Sequence, residues 1–131
     1  MKSGSKLFYA IGFVFNILEI LVLIAVLAIF AIGLNGSPEL FEEIAKDTQQ
    51  TVDFLKSIML GIIIVATIAI IVHVAIMFVV IYARKCLINK TGNVSPHIII
   101  LLVGILGFNF LYILGGIFGM VAASNDNDED D

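Results

Sequence analysis

Three long apolar runs, at 7–34, 57–83 and 97–123, are separated by short polar segments. Each run exceeds the roughly 20 residues that a helix needs to cross a hydrocarbon core of about 30 Å. Ile, Leu, Val, Ala and Phe fill them without a 3.6-residue alternation of apolar and charged faces, the pattern of helices surrounded by lipid and by one another. The pattern therefore predicts three transmembrane helices. Lys2 and Lys6 precede the first run as in a signal peptide, but its length is well beyond the usual 7 to 15 apolar residues and no small-x-small site closes it.

Between the first two runs, Ser37-Pro38-Glu39 reads as a helix start, with an N-cap hydroxyl, a proline at the first helical position and an acid over the positive helix end. Phe41, Ile44, Thr48, Val52, Leu55 and Met59 then recur at three- and four-residue spacing, which predicts an amphipathic helix over 38–56 leading into the second span. It either stands up as an extension of that span, lies in the interface with its apolar stripe down, or is a solvated linker. Turn-forming residues, Thr91-Gly92-Asn93 and Ser95-Pro96, separate the second and third runs, and the acidic tail 124–131 reads as disordered. The expected fold class is all-α: an integral membrane protein with three transmembrane helices and a short amphipathic exterior helix, forming one domain over 1–123.

Composition agrees with lipid as the solvent. The chain of 131 residues is 60% hydrophobic and 14% charged, more apolar and less charged than a soluble domain. One Cys, Cys86, excludes an intrachain disulfide, and with two His it cannot complete a four-ligand structural zinc site. A net charge of -4 argues against nucleic acid, which needs a basic excess. Lys2, Lys6, Arg84, Lys85 and Lys90 flank the spans on the side of the N-terminus, against Lys46 and Lys56 on the other. The positive-inside rule then predicts a cytoplasmic N-terminus in a plasma membrane and, after three spans, an extracellular C-terminus. Tyr9 and Tyr82 fall near the inner ends of their helices, where a hydroxyl can sit among headgroups.

No Gly-rich phosphate loop, HExxH or GxSxG motif occurs, so the sequence predicts no enzyme, no cofactor and no metal site. Polar residues inside spans are the remaining candidates, because each costs free energy in hydrocarbon. They are Asn16, Glu19, His73, Asn109 and Tyr112. At about 1.5 Å of rise per residue, Glu19, His73 and Asn109 each lie roughly 15 to 18 Å from the inner end of their runs, which makes Glu19 and His73 natural partners. The third run is rich in small residues, Gly104, Gly107, Gly115, Gly116, Gly119 and Ala123, with Gly115 and Gly119 at GxxxG spacing, so a close-packed helix face is expected there. A further candidate surface is the apolar stripe Phe41, Ile44, Val52 and Leu55 of the exterior helix.

Leu114-Gly115-Gly116-Ile117-Phe118-Gly119 resembles the closing helix of uncharacterised small multi-pass membrane proteins of low-GC Gram-positive bacteria, and implies a bacterial plasma membrane without implying an activity. Glu19 in the first helix is similar to the membrane glutamate of small multidrug-resistance exporters, but this chain departs from them in having three spans rather than four, no Trp and a clear charge bias. The expected function is an accessory or interaction subunit of assembly, regulation or immunity type. Its partners would be the lipid bilayer and a membrane protein, or a second copy through the third helix. The alternative is a small oligomeric proton- or cation-coupled transporter or pore using Glu19 and His73.

Overall fold

The computed structural model describes residues 1–107 and 109–130, the side chains of Glu129 and Asp130 excepted, and these residues form five helices. They are α1 (Lys2–Leu34), α2 (Pro38–Thr48), α3 (Val52–Ile88), α4 (Ser95–Leu106) and α5 (Phe110–Asp130). The protein is all-α over the described residues, and α1 and α3 are long and apolar enough to cross a membrane. At 33 and 37 residues they rise about 50 and 55 Å, more than a bilayer core requires.

The third apolar run departs from the single span expected over 97–123. It is two helices, α4 and α5, interrupted around Gly107 and Asn109. Gly107 weakens helix propensity, and Asn109 restarts it as a cap, its side-chain oxygen accepting from the Tyr112 backbone N–H at 3.4 Å. The Asn109 N–H turns back to the Gly104 carbonyl at 2.8 Å.

The close approaches of α5 to α4 run in reverse order. Gly104 faces the Ile113 backbone, Gly116 faces Leu101 and the His97 carbonyl, and Gly119 faces the His97 ring, so the two helices form an antiparallel hairpin. Neither arm has the length of a span: α4 rises about 18 Å, and the apolar part of α5, 110–123, about 20 Å. The tail expected to be disordered continues α5 as helix through Asp130, and Asp131 lies outside the described residues.

A second break separates α2 from α3, where one amphipathic helix was expected over 38–56. Gln49 adopts a left-handed conformation at φ 56°, and Gln50 N–H bonds back to the Ala45 carbonyl at 3.0 Å. Thr51 opens α3 by accepting from the Phe54 N–H at 3.2 Å. Ser37 does occupy the N-cap of α2 with Pro38 behind it, but its hydroxyl makes no capping bond.

The helices contribute to two compact units. Unit 1 comprises Met1–Leu18 and His73–Asp131, and unit 2 comprises Glu19–Val72. The core of unit 1 is Tyr9, Val80, Ala83, Leu87, Ile100, Tyr112 and Ala122, with Phe13, Ile76, Val79 and Val103 packed against it. In unit 2, Phe41 and Ala45 are the buried residues of α2, and the Lys56 ammonium sits 5.3 Å from the centre of the Phe41 ring.

Candidate functional site

In unit 1, α5 runs antiparallel to α1 and fits it through alternating small and large side chains. A Cβ at Gly12 would lie 2.6 Å from the Tyr112 ring, one at Gly115 2.7 Å from the Tyr9 ring, and one at Gly4 3.0 Å from the Phe118 ring. Phe118 in turn meets Phe8 at 5.5 Å between ring centres. Glycine on one helix thus makes room for an aromatic ring on the other, which is how two backbones pack closely without a cavity.

This packing buries a set of polar groups contributed by three helices. The Tyr9 hydroxyl of α1 hydrogen-bonds His97 Nδ1 of α4 at 2.6 Å, and both residues are fully buried. Their rings lie parallel at 5.8 Å. Gly119 of α5 closes the third side, for a Cβ there would meet His97 Nδ1 and lie 2.8 Å from the Tyr9 hydroxyl. One turn before Tyr9, Ser5 donates to the Gly115 carbonyl at 2.8 Å. Among the described residues His97 Nε2 is buried with no hydrogen-bond partner.

Two contacts extend the seam to the chain ends. Lys2 Nζ and Asp126 Oδ1 form an ion pair at 2.9 Å, and Asn127 Nδ2 donates to the Gly92 carbonyl at 3.0 Å. Gly92 has φ +65°, and a Cβ there would collide with the Asn127 amide, so glycine is required twice over. Asp126 and Lys2 are neighbours in one unit, where a single third span put them on opposite faces of the membrane.

Of the residues expected to form an intramembrane cluster, Asn16, His73, Asn109 and Tyr112 belong to unit 1 and Glu19 to unit 2. Asn16 is buried and donates to the His73 backbone carbonyl at 3.0 Å. Tyr112 is buried in the core of unit 1, Asn109 caps α5, and His73 is half-buried. Glu19 belongs to unit 2 and is exposed on the α1 surface that also carries Phe15, Leu18 and Val22. Of the small residues, Gly104, Gly115, Gly116, Gly119 and Ala123 are buried, whereas Gly107 is exposed at the hairpin turn. Of the expected apolar face, Phe41 is buried, Val52 and Leu55 are half-buried and Ile44 is exposed.

Sequence reasoning passed over the Tyr9–His97 pair. Tyr9 was expected among headgroups and His97 only as the first residue of a span, yet each stands within one turn of the N-terminal end of its run. That matched level was the available signal. No protein-family model matches the chain, and neither curated proteins nor solved structures provide a match.

Unit 2 carries a different surface. An apolar groove of about 390 Å³ lies between Leu23 and Val26 of α1 and Ile58, Gly61, Ile62, Val65, Ala66 and Ala69 of α3. At Gly61 an added Cβ would meet nothing within 4 Å. This small-residue position is therefore open, whereas those of α5 are filled from within the chain.

Proposed function

We propose that the protein is an accessory subunit of a membrane complex that receives a helix of a partner membrane protein in the groove of unit 2. The groove is the observation that carries this reading: Gly61 is open, while Gly115 and Gly119, the sequence's first choice for an interface, pack on Tyr9 and His97. Small residues let a second helix come close in lipid, where van der Waals packing rather than water exclusion drives association. In this reading α1 and α3 span the plasma membrane, and the α4–α5 hairpin enters from the cytoplasmic face and returns to it. The basic residues that set orientation remain five against two, because 97–131 contains no Lys or Arg.

A photo-crosslinking residue at Gly61 tests the proposal in native membranes. It should form an adduct with a protein other than itself, and the same residue at Ile117, exposed on α5, should not. An adduct of two copies of the chain at Gly61 would replace the accessory role with self-association.

The exposed acid on α1 favours one alternative, a small oligomeric proton- or cation-coupled transporter or pore using Glu19 and His73. An ionisable side chain within an apolar run long enough to span a membrane is a candidate for ion passage. Proton flux in liposomes, abolished by Glu19→Gln, would favour this reading over the first.

A further inference from the structure

The C-terminal turn of α5 has a chemistry different from the rest of that helix. Asp126 is 8% exposed and one of its oxygens pairs with Lys2, while Oδ2 is buried with no hydrogen-bond partner among the described residues. A half-satisfied buried carboxylate penalises the closed state, because water would solvate both oxygens on release. Beside it, Asn127 Nδ2 donates to the Gly92 carbonyl of the α3–α4 loop. Among the described residues the tail is therefore fastened through Lys2 and Gly92, at the end of a helix whose apolar packing finishes near Ala122 and Ala123.

The surroundings carry the opposite charge. Arg84, Lys85 and Lys90 are exposed at the end of α3 and in the loop that Asn127 holds, and Lys6 lies one turn from Lys2. Among the described residues the Lys2–Asp126 pair is the ion pair formed at this end.

We propose that Lys2, Lys6, Arg84, Lys85 and Lys90 form a binding surface for anionic phospholipid headgroups and that Asp126 is its built-in competitor. A lipid phosphate in a bilayer of net negative charge offers Lys2 an alternative anion at the depth where basic residues flank a span. Engaging it frees Asp126 and lets the last turn of α5 swing away from Gly92. The occupant is a lipid surface rather than a protein because the cations stand at the ends of the apolar helices α1 and α3, where headgroups lie. The inference rests on the reading that both chain ends meet the same membrane face.

The test uses the full chain with Cys86→Ala, spin-labelled through Ser3→Cys and Asn125→Cys, both exposed positions beside the pair. Pulsed distance measurements are made in phosphatidylcholine vesicles and in vesicles mixed with phosphatidylglycerol. A short distance in phosphatidylcholine that shifts to a longer population with phosphatidylglycerol is the expected result. Lys2→Gln should show the longer population in both and lose the lipid response. An unchanged distance in the two lipids, with Lys2→Gln still lengthening it, overturns lipid competition while leaving the ion pair intact. A short distance retained by Lys2→Gln overturns the fastening itself. Modification of the two cysteines from opposite sides by an impermeant thiol reagent would instead overturn the same-face reading.

Discussion

Tyr9 and His97 meet at 2.6 Å with both residues fully buried. Removing the hydroxyl in Tyr9→Phe keeps the ring but leaves His97 Nδ1 buried and unpaired, a loss of about 1 to 3 kcal/mol. Tyr82→Phe provides the comparison, because Tyr82 is 53% exposed and a surface change of this kind stays within about 0.5 kcal/mol. Equilibrium unfolding in detergent measures both, and equal effects would contradict the buried pair. Glycine positions give a second contrast. Gly119→Ala drives a methyl group into His97 and Tyr9 and should cost about 1 to 3 kcal/mol, whereas Gly61→Ala meets open space and should be close to neutral in stability. At this scale the sequence exposed the buried Asn16 and Tyr112, because a polar group inside an apolar run stands out by itself. It did not expose the pairing of Tyr9 with His97, since each sits at the end of a run, where a headgroup or solvent is an equally good partner.

At the scale of elements, long apolar helices were readable and interruptions were not. Hydropathy over 57–83 is uninterrupted and α3 follows it, extending the helix to Val52–Ile88. The run over 97–123 is just as apolar, and its break depends on Gly107 and on Asn109 bonding locally, signals of one residue each in a segment where glycine also serves packing. The α2–α3 corner is comparable: its hydrophobic stripe continues through a turn that Gln49 makes in a left-handed conformation. A left-handed conformation is unfavourable for residues with a Cβ by about 1 to 2 kcal/mol. Gln49→Gly should therefore raise the thermal stability of the protein by up to about 1 kcal/mol, while Gln50→Gly should not. Destabilisation by Gln49→Gly in a detergent melt would contradict the corner.

For the whole molecule, the hairpin changes what the charge pattern means. Read as a single span, the third run puts the acidic tail on the membrane face opposite Lys2. With α5 antiparallel to α1, Asp126 comes to Lys2, and the acidic end of α5 joins the basic start of α1. Acids contribute little to orientation, so the basic residues give the same expectation, a cytoplasmic N-terminus, for either arrangement. Charge counting could not separate the two arrangements, because the segment after Lys90 holds no basic residue to count. Thiol labelling decides between them. In a Cys86→Ala background, Ser3→Cys and Asn125→Cys are introduced singly and exposed to an impermeant reagent in right-side-out and in inverted membrane vesicles. The hairpin predicts that both are modified in inverted vesicles and protected in right-side-out ones; modification of Asn125→Cys from the outside, with Ser3→Cys modified only from the inside, would contradict it.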